Sequence, residues 1–359
     1  MSGLLTAVSK SFQAVGRVPL WGIAVLALLA VVAWMKVLFG IIAVQAAIQG
    51  LVVGSIYVLG ASGLSLTYGI KKFANFAHGD FMTAGAYVAF AINVQAGLNI
   101  GWGIVAALVG VAALAVFLEM AVFRRLDGRP LAALIASVGV ALVIQNVISA
   151  IFLPDVHQLN VSVPSDFALG DTGLTFNIVK GGATLAVAVA FTIFLHVLLR
   201  YTTLGKAMRA CADDLALART TGINTRNVIL WTWLIAGAFA GVGGVLLAII
   251  VNVFPLLGSF VLLFIFAAVI IGGIGSPYGA MLGGLIVGVV QKLSSVLFGA
   301  LKTAGVLEGG SAYEPAGAFI IMIVVLLLRP EGIMGVPREK GGGRWRRALG
   351  RRLEGVRGS

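Results

Sequence analysis

Ten uninterrupted apolar runs, each near the length of a membrane-crossing helix and separated by charges, Gly/Pro or polar clusters, dominate this chain. A spanning helix needs about 20 mostly apolar residues, because the hydrocarbon core is about 30 Å thick and each residue rises about 1.5 Å. The runs fall near 18–39, 42–68, 78–96, 102–122, 130–153, 179–199, 228–252, 256–274, 278–301 and 312–329. They are continuously apolar, whereas a membrane barrel would show alternating segments of about ten residues. The expected fold is an all-α polytopic membrane protein with about ten transmembrane helices. Composition agrees, at 60% hydrophobic and 11% charged with a mean hydropathy of +1.07, against about 45–50% and about 25% in soluble domains. The 48 glycines suit membrane helices, where small residues let backbones approach closely.

Basic residues set the orientation, because cytoplasmic connections are enriched in Lys and Arg. With the N-terminus inside, all of the 25 basic residues but Lys36, Lys180, Lys292 and Lys302 fall on the cytoplasmic side. They include Lys10 and Arg17 in the first tail, Arg124, Arg125 and Arg129 between the fourth and fifth runs, and the Arg-rich end from Arg338 to Arg357. Asp155, Asp166, Asp171, Glu308 and Glu314 lie in the outer connections. Both termini are therefore expected in the cytoplasm. The net charge of +12 reads as a topology signal and not as a nucleic-acid surface. The apolar start is long and lacks a small-x-small cleavage site, so it reads as a retained helix.

Chemistry that the residues exclude narrows the function. Cys211 is the single cysteine and the three histidines are scattered, so neither a disulfide nor a metal site is expected. No G-x-x-x-x-G-K-[ST] loop occurs, so ATP hydrolysis of the P-loop type cannot reside here. Hydrolytic motifs are absent as well, and neither catalytic residues nor a cofactor is expected. Glu119 and Lys292 lie near the ends of their runs, where snorkelling to the interface explains them.

Three segments carry polar signals. After the second run, Tyr68, Lys71 and Lys72 mark an interface, Asn75 is placed to cap the next helix, and His78 and Asp80 sit in its first turn. A carboxylate there is stabilised by the helix dipole without any further role, and a lone histidine is ordinarily a packed, hydrogen-bonded residue. The second segment, from Phe266 to Gln291, holds Gly272, Gly273, Gly275, Gly279, Gly283, Gly284 and Gly288, with Pro277 at a helix start. Irregular backbone at membrane depth is tolerated where it is buried or lines a path, while small-xxx-small packing explains the same glycines. GDFMTAGAYVAF and GSPYGAMLGGLIVG look like a degenerate internal repeat. The third, residues 200–227, has Leu204, Ala207, Met208, Cys211, Leu215 and Ala218 at helical spacing and suggests two short cytoplasmic helices divided near Thr221 and Gly222, or else a solvated basic loop. Residues 154–178 form an acidic outer loop.

The stretch GLVVGSIYVLGASGLSLTYGIKKFANFAHGDFMTAGAYVAF, from Gly50 to Phe90, closely resembles the opening of branched-chain amino-acid ABC transporter permeases of the LivH type, with their N-F-A-H-G-[DE] hallmark. LGKAMRACADDLALARTTGINTRNV (204–228), GGIGSPYGAMLGGLIVG (272–288) and LRPEGIMG (328–335) resemble further family segments in the same order. The resemblance implies a type II-like ABC importer permease bundle over residues 42–335, preceded by an additional tail and helix at 1–41 and followed by a basic tail at 336–359. It implies transport of Leu, Ile or Val by alternating access, with urea or short amides as the alternative cargo and a stand-alone channel or secondary transporter as the alternative class. A bacterial or archaeal plasma membrane is the implied location. Its implied partners are a second, LivM-like permease subunit or a second copy, two cytoplasmic ATPases, an extracytoplasmic binding protein and membrane lipid.

With that resemblance, the residues expected along the substrate path and inner gate are Tyr68, Asn75, Phe76, His78, Gly79, Asp80, Tyr87, Gly272, Gly273, Gly275 and Pro277. Those expected to couple to the ATPase are Leu204, Gly205, Ala207, Met208, Arg209, Leu215, Ala218, Gly222 and Ile223.

Overall fold

A computed structural model describes residues 20–161, 166–168 and 173–335. The first tail with Lys10 and Arg17, Asp171, and the basic tail 336–359 lie outside the described residues.

Every one of the ten apolar runs is helical. In order the helices are α1 (Leu20–Phe39), α2 (Ile41–Lys71), α3 (His78–Phe90), α4 (Ile100–Ala121), α5 (Pro130–Phe152), α6 (Thr184–Tyr201), α7 (Thr203–Asp213), α8 (Leu215–Thr220), α9 (Thr225–Ile250), α10 (Leu257–Gly272), α11 (Pro277–Thr303) and α12 (Glu314–Leu328). Seven of them, α1, α2, α4, α5, α6, α9 and α11, are long and apolar enough to cross a membrane, α6 with the π-turn that precedes it. The 16 residues of α10 and the 15 of α12 reach only about 24 and 22 Å. The 13-residue α3 continues into a π-turn at Ala91–Gln95. Among the described residues, strand pairing occurs between α5 and α6, where β1 (Phe167–Ala168) pairs antiparallel with β2 (Thr175–Phe176).

Helix α9 forms the axis of the bundle and is apolar on all sides, buried along most of its length from Thr225 to Ala248. Helix α1 is the opposite case, exposed along most of its length. It touches the bundle along a narrow seam in which Met35 meets Ala43, Ala46, Val289 and Leu293. The largest helix interface joins α2 to α11. Gly50 and Gly54 on one helix face Gly284 and Gly288 on the other, and a Cβ on Gly54 would stand 3.1 Å from the Gly284 carbonyl. Four-residue glycine spacing on both partners lets the backbones touch, which is how membrane helices associate without a hydrophobic driving force.

Two ends of the bundle are distinct. One carries α7 and α8, the turn 273–276 and the ends of α2 and α4. The other carries residues 153–161 and 173–177, which are tied down by the His157–Val253 bridge, the Asn93 side chain on the Asn160 amide (2.7 Å) and the Gln45 side chain on Thr175.

Candidate functional site

Helix α2 ends at Lys71, and residues 72–77 turn back into the bundle before α3 begins. Lys72 makes the turn with a left-handed backbone (φ 56°). The His78 ring then lies beside Gly60, with Nε2 2.9 Å from the Gly60 carbonyl. Gly60 stands 11 residues before the end of α2, roughly 16 Å along its axis. His78 is therefore near mid-height and fully buried, not at the interface where the sequence placed it. The physical reason is the return of residues 72–77, whose Phe76 amide is held by the Ser137 hydroxyl of α5 at 3.0 Å.

A matching arrangement occurs in the second half. Helix α9 runs away from the α7–α8 end, residues 251–256 turn inward, and α10 begins at Leu257 inside the bundle. Each half thus has a long helix, a six-residue link and a short helix, in opposite directions. This corrects the expected repeat: the counterpart of α3 is α10, and the segment opening at Pro277 corresponds to α4. Gly79-Asp80-Phe81 and Gly258-Ser259-Phe260 are the equivalent tripeptides.

The two short helices meet at their N-termini. A Cβ on Gly79 would stand 2.5 Å from the Gly258 carbonyl, and one on Gly258 would overlap the Gly79 carbonyl. Thr83 accepts the Gly258 amide through Oγ1 at 2.9 Å. Asp80 is buried, and its Oδ1 accepts from Gln145 Nε2 of α5 at 2.9 Å and from the Ser259 hydroxyl at 3.3 Å. Gln145 also donates to Ser259 Oγ at 2.6 Å. Two positive helix ends and two donors therefore converge on one carboxylate. Neither Gln145 nor Ser259 was anticipated; the G-S-F echo of G-D-F is the signal that finds Ser259.

His78 donates from Nε2, so Nδ1 is an acceptor, and among the described residues it has no hydrogen-bond partner, nor does Asn75 Nδ2. Asn75 does not cap α3. Its Oδ1 accepts the Ala77 amide at 3.1 Å, and Ala77 occupies the capping position. These orphaned polar groups sit where two helices are interrupted, the setting in which membrane transporters place irregular backbone.

The other expected path residues are not brought to this point. Tyr87 packs on Phe90, Phe152 and His157 toward the loop end. Tyr68, Gly272, Gly273, Gly275 and Pro277 lie at the α7–α8 end. There Gly272 and Gly279 press backbone to backbone, and Pro277 is the first residue of α11. Gly273 adopts φ 112°, a conformation open to glycine, and the Ile333 and Met334 amides donate to the Ile271 and Gly272 carbonyls at 2.8 Å each. The R-P-E-G-I-M-G ending thus satisfies the free carbonyls of α10.

Helices α7 and α8 are divided at Asp214, not at Thr221 and Gly222. Asp214 is extended and its carboxylate accepts the Ala216 and Leu217 amides. Gly222, at φ 85°, follows the end of α8. Gly205, Met208, Cys211 and Ala218 are buried against the bundle, with Leu204, Ala207, Leu215 and Ile223 partly so. A Cβ on Gly205 would overlap the Leu198 carbonyl. Lys72 Nζ donates to the Ala212 carbonyl at 2.8 Å, tying the link before α3 to the end of α7. Lys206, Arg209, Asp213 and Leu217 point to solvent, Leu217 at 62% exposure.

Glu119 does not snorkel. Glu119 is 2% exposed and meets Lys71 Nζ at 2.7 Å, while Lys292 meets Glu314 at 2.8 Å. Lys71 also reaches Asp127 at 2.5 Å, so one ammonium joins α2, α4 and the α4–α5 connection.

Fold and site together define a polytopic membrane transport component. The family model described as branched-chain amino acid transport system / permease component matches residues 46–328. The chain is 35% identical over 311 residues to the high-affinity branched-chain amino acid transport system permease protein LivH of Escherichia coli (strain K12), covering 82% of this chain and 96% of that protein. It is 33% identical over 305 residues to the corresponding permease BraD of Pseudomonas aeruginosa, covering 82% and 96%. Identity to the probable branched-chain amino acid transport permease protein LivH of Methanocaldococcus jannaschii is 31% over 298 residues, covering 81% and 92%. The chain belongs to the branched-chain amino acid transport system permease component family.

Proposed function

We propose that this chain is the membrane subunit of an ATP-driven importer that moves Leu, Ile and Val inward. It pairs with a second permease subunit or another copy, receives solute from an extracytoplasmic binding protein, and is driven by two separate cytoplasmic ATPases. All ten apolar helices cross the membrane, α3, α10 and α12 together with the segments that precede them, and both termini lie in the cytoplasm with α7 and α8. Residues 42–335 make the permease domain. The convergence of α3 and α10 near Asn75, His78, Gly79 and Asp80 is the constriction of the path, which the bundle opens to one side at a time by rocking.

The observation that carries this reading is the α7–α8 pair, a short rigid element seated by its apolar face and presenting Lys206, Arg209, Asp213 and Leu217 outward. Such a surface, linked through Lys72 to the segment that leads into α3, suits force transmission from a partner. Ala207 is half-buried and Gly222 requires φ 85°, so substitutions at those positions would disturb the permease itself. Leu217→Glu and Arg209→Glu act on the exposed face. Each is expected to leave the bundle folded in the membrane while abolishing capture of the ATPase subunits and the stimulation of ATP hydrolysis by loaded binding protein. Undiminished capture and stimulation in both variants would contradict the assignment.

A further inference from the structure

Away from the α3–α10 crossing, a cavity of about 600 Å³ lies between the loop-end portions of α2, α9, α10 and α11, bordered by Asp166 and residues 175–181. That volume falls within the range of about 300–1,000 Å³ in which proteins bind small molecules. Its walls differ in chemistry. Val52, Ile56, Val261 and Phe264 make an aliphatic and aromatic floor. The polar groups nearest that floor satisfy one another: Tyr57 donates to Gln291 at 2.7 Å, Gln291 donates to Glu314 at 2.9 Å, and Lys292 pairs with Glu314. The floor therefore asks no hydrogen bond of an occupant.

The rim is built differently. Asn177 accepts the Lys180 backbone amide at 2.8 Å through Oδ1 and donates from Nδ2 to Asp166 at 2.9 Å. One asparagine thus holds the Lys180 backbone and the Asp166 carboxylate, and both residues line the cavity. Lys180 and Asp166 nonetheless form no ion pair with each other, and among the described residues the Lys180 side chain has no ion-pair or hydrogen-bond partner. Opposite charges held apart above an apolar floor match a zwitterion with an aliphatic side chain, which resists leaving water unless both its charges are met.

We propose that this cavity is a solute site within the permease for a free α-amino acid with an aliphatic side chain, its carboxylate on Lys180, its ammonium on Asp166 and its side chain against Val261 and Phe264. The assignment rests on the functional reading above and adds to it a docking point inside this subunit, on the side that faces the binding protein.

The test is equilibrium binding of radiolabelled leucine to the assembled importer in lipid nanodiscs without binding protein. Leucine is expected to bind, and 4-methylpentanoate, which lacks the ammonium, to compete at least about tenfold more weakly, the worth of a charge-assisted contact. Lys180→Met is expected to weaken binding about tenfold or more and Lys180→Arg by less than about threefold, while Val261→Trp, which fills the floor, abolishes it, with assembly of each variant checked by size-exclusion chromatography. Equal competition by 4-methylpentanoate, or leucine binding unchanged in Lys180→Met and Val261→Trp, overturns the site. So does a wild-type complex that imports leucine with its binding protein yet binds none alone. A wild-type complex that neither binds nor imports leucine overturns the functional reading as well.

Discussion

Gly79 and Gly258 touch backbone to backbone where two short helices begin, one from each half of the chain. The contact fixes the geometry around it: Thr83 holds the Gly258 amide, and Ser259 and Gln145 hold Asp80. A side chain on either glycine would drive α3 and α10 apart and strip these bonds from buried groups, each of which is costly to leave unmade.

The first expectation follows from that crowding. Gly258→Ala should destabilise the permease by about 2 kcal/mol or more, the usual cost of overpacking a filled interior, and Gly79→Leu should prevent folding. Gly139→Ala, on the exposed face of α5 with open space around it, should be neutral or stabilising by about 0.5–1 kcal/mol. Unfolding of the purified variants in detergent compares them. A Gly258→Ala protein as stable as Gly139→Ala would remove the crossing as the organising contact.

Lys71 and Glu119 give a second. Both are buried and paired, so Lys71→Met strands the Glu119 carboxylate and should cost about 3–5 kcal/mol, whereas Glu119→Leu leaves Lys71 with Asp127 and should cost less. The double variant should recover most of the loss, since the third partner, Asp127, is 44% exposed and can be hydrated. A double-mutant cycle of unfolding free energies measures the coupling. Additive losses would contradict it.

Cys211 supplies a pH-dependent expectation. Burial pushes its thiol above the ordinary range, with nearby Arg219 opposing in part. The folded protein holds the proton more tightly than the unfolded chain does. The contribution to stability is therefore level below the ordinary thiol range and declines as pH rises through it. Maleimide labelling of the native protein should be negligible at neutral pH and rise only in strong alkali or denaturant. Rapid labelling at pH 7 would mean that α7 is not seated as described.

Orientation yields the fourth. In a Cys211→Ala background, a cysteine at Leu217 should react with an impermeant reagent from the cytoplasmic side alone, and one at Phe167 from the opposite side, because both positions are well exposed. Reversed labelling would invert the proposed topology.

The helices were legible from residue type, because twenty apolar residues leave a chain few alternatives. So were Pro277 at a helix start and the amphipathic stripe from Leu204 to Ala218. The re-entry of residues 72–77 and 251–256 was not, since an apolar run looks alike whether its helix starts at the surface or at mid-height. Glu119 was misread for the same reason: its partner Lys71 lies 48 residues away, and a span read in isolation offers only snorkelling. The division at Asp214 was hidden by Gly222, a stronger breaker by composition that proves to follow α8 rather than split the segment. Expected path residues separated in space because shared polarity says nothing about depth.

The most direct measurement of the central claim is accumulation of labelled leucine in proteoliposomes containing this chain with its partner permease, both ATPases and the binding protein outside. Uphill accumulation should require enclosed ATP and the binding protein, and should vanish with Leu217→Glu. Leucine flux through this chain alone, running down its gradient without ATP or partners, would contradict the account.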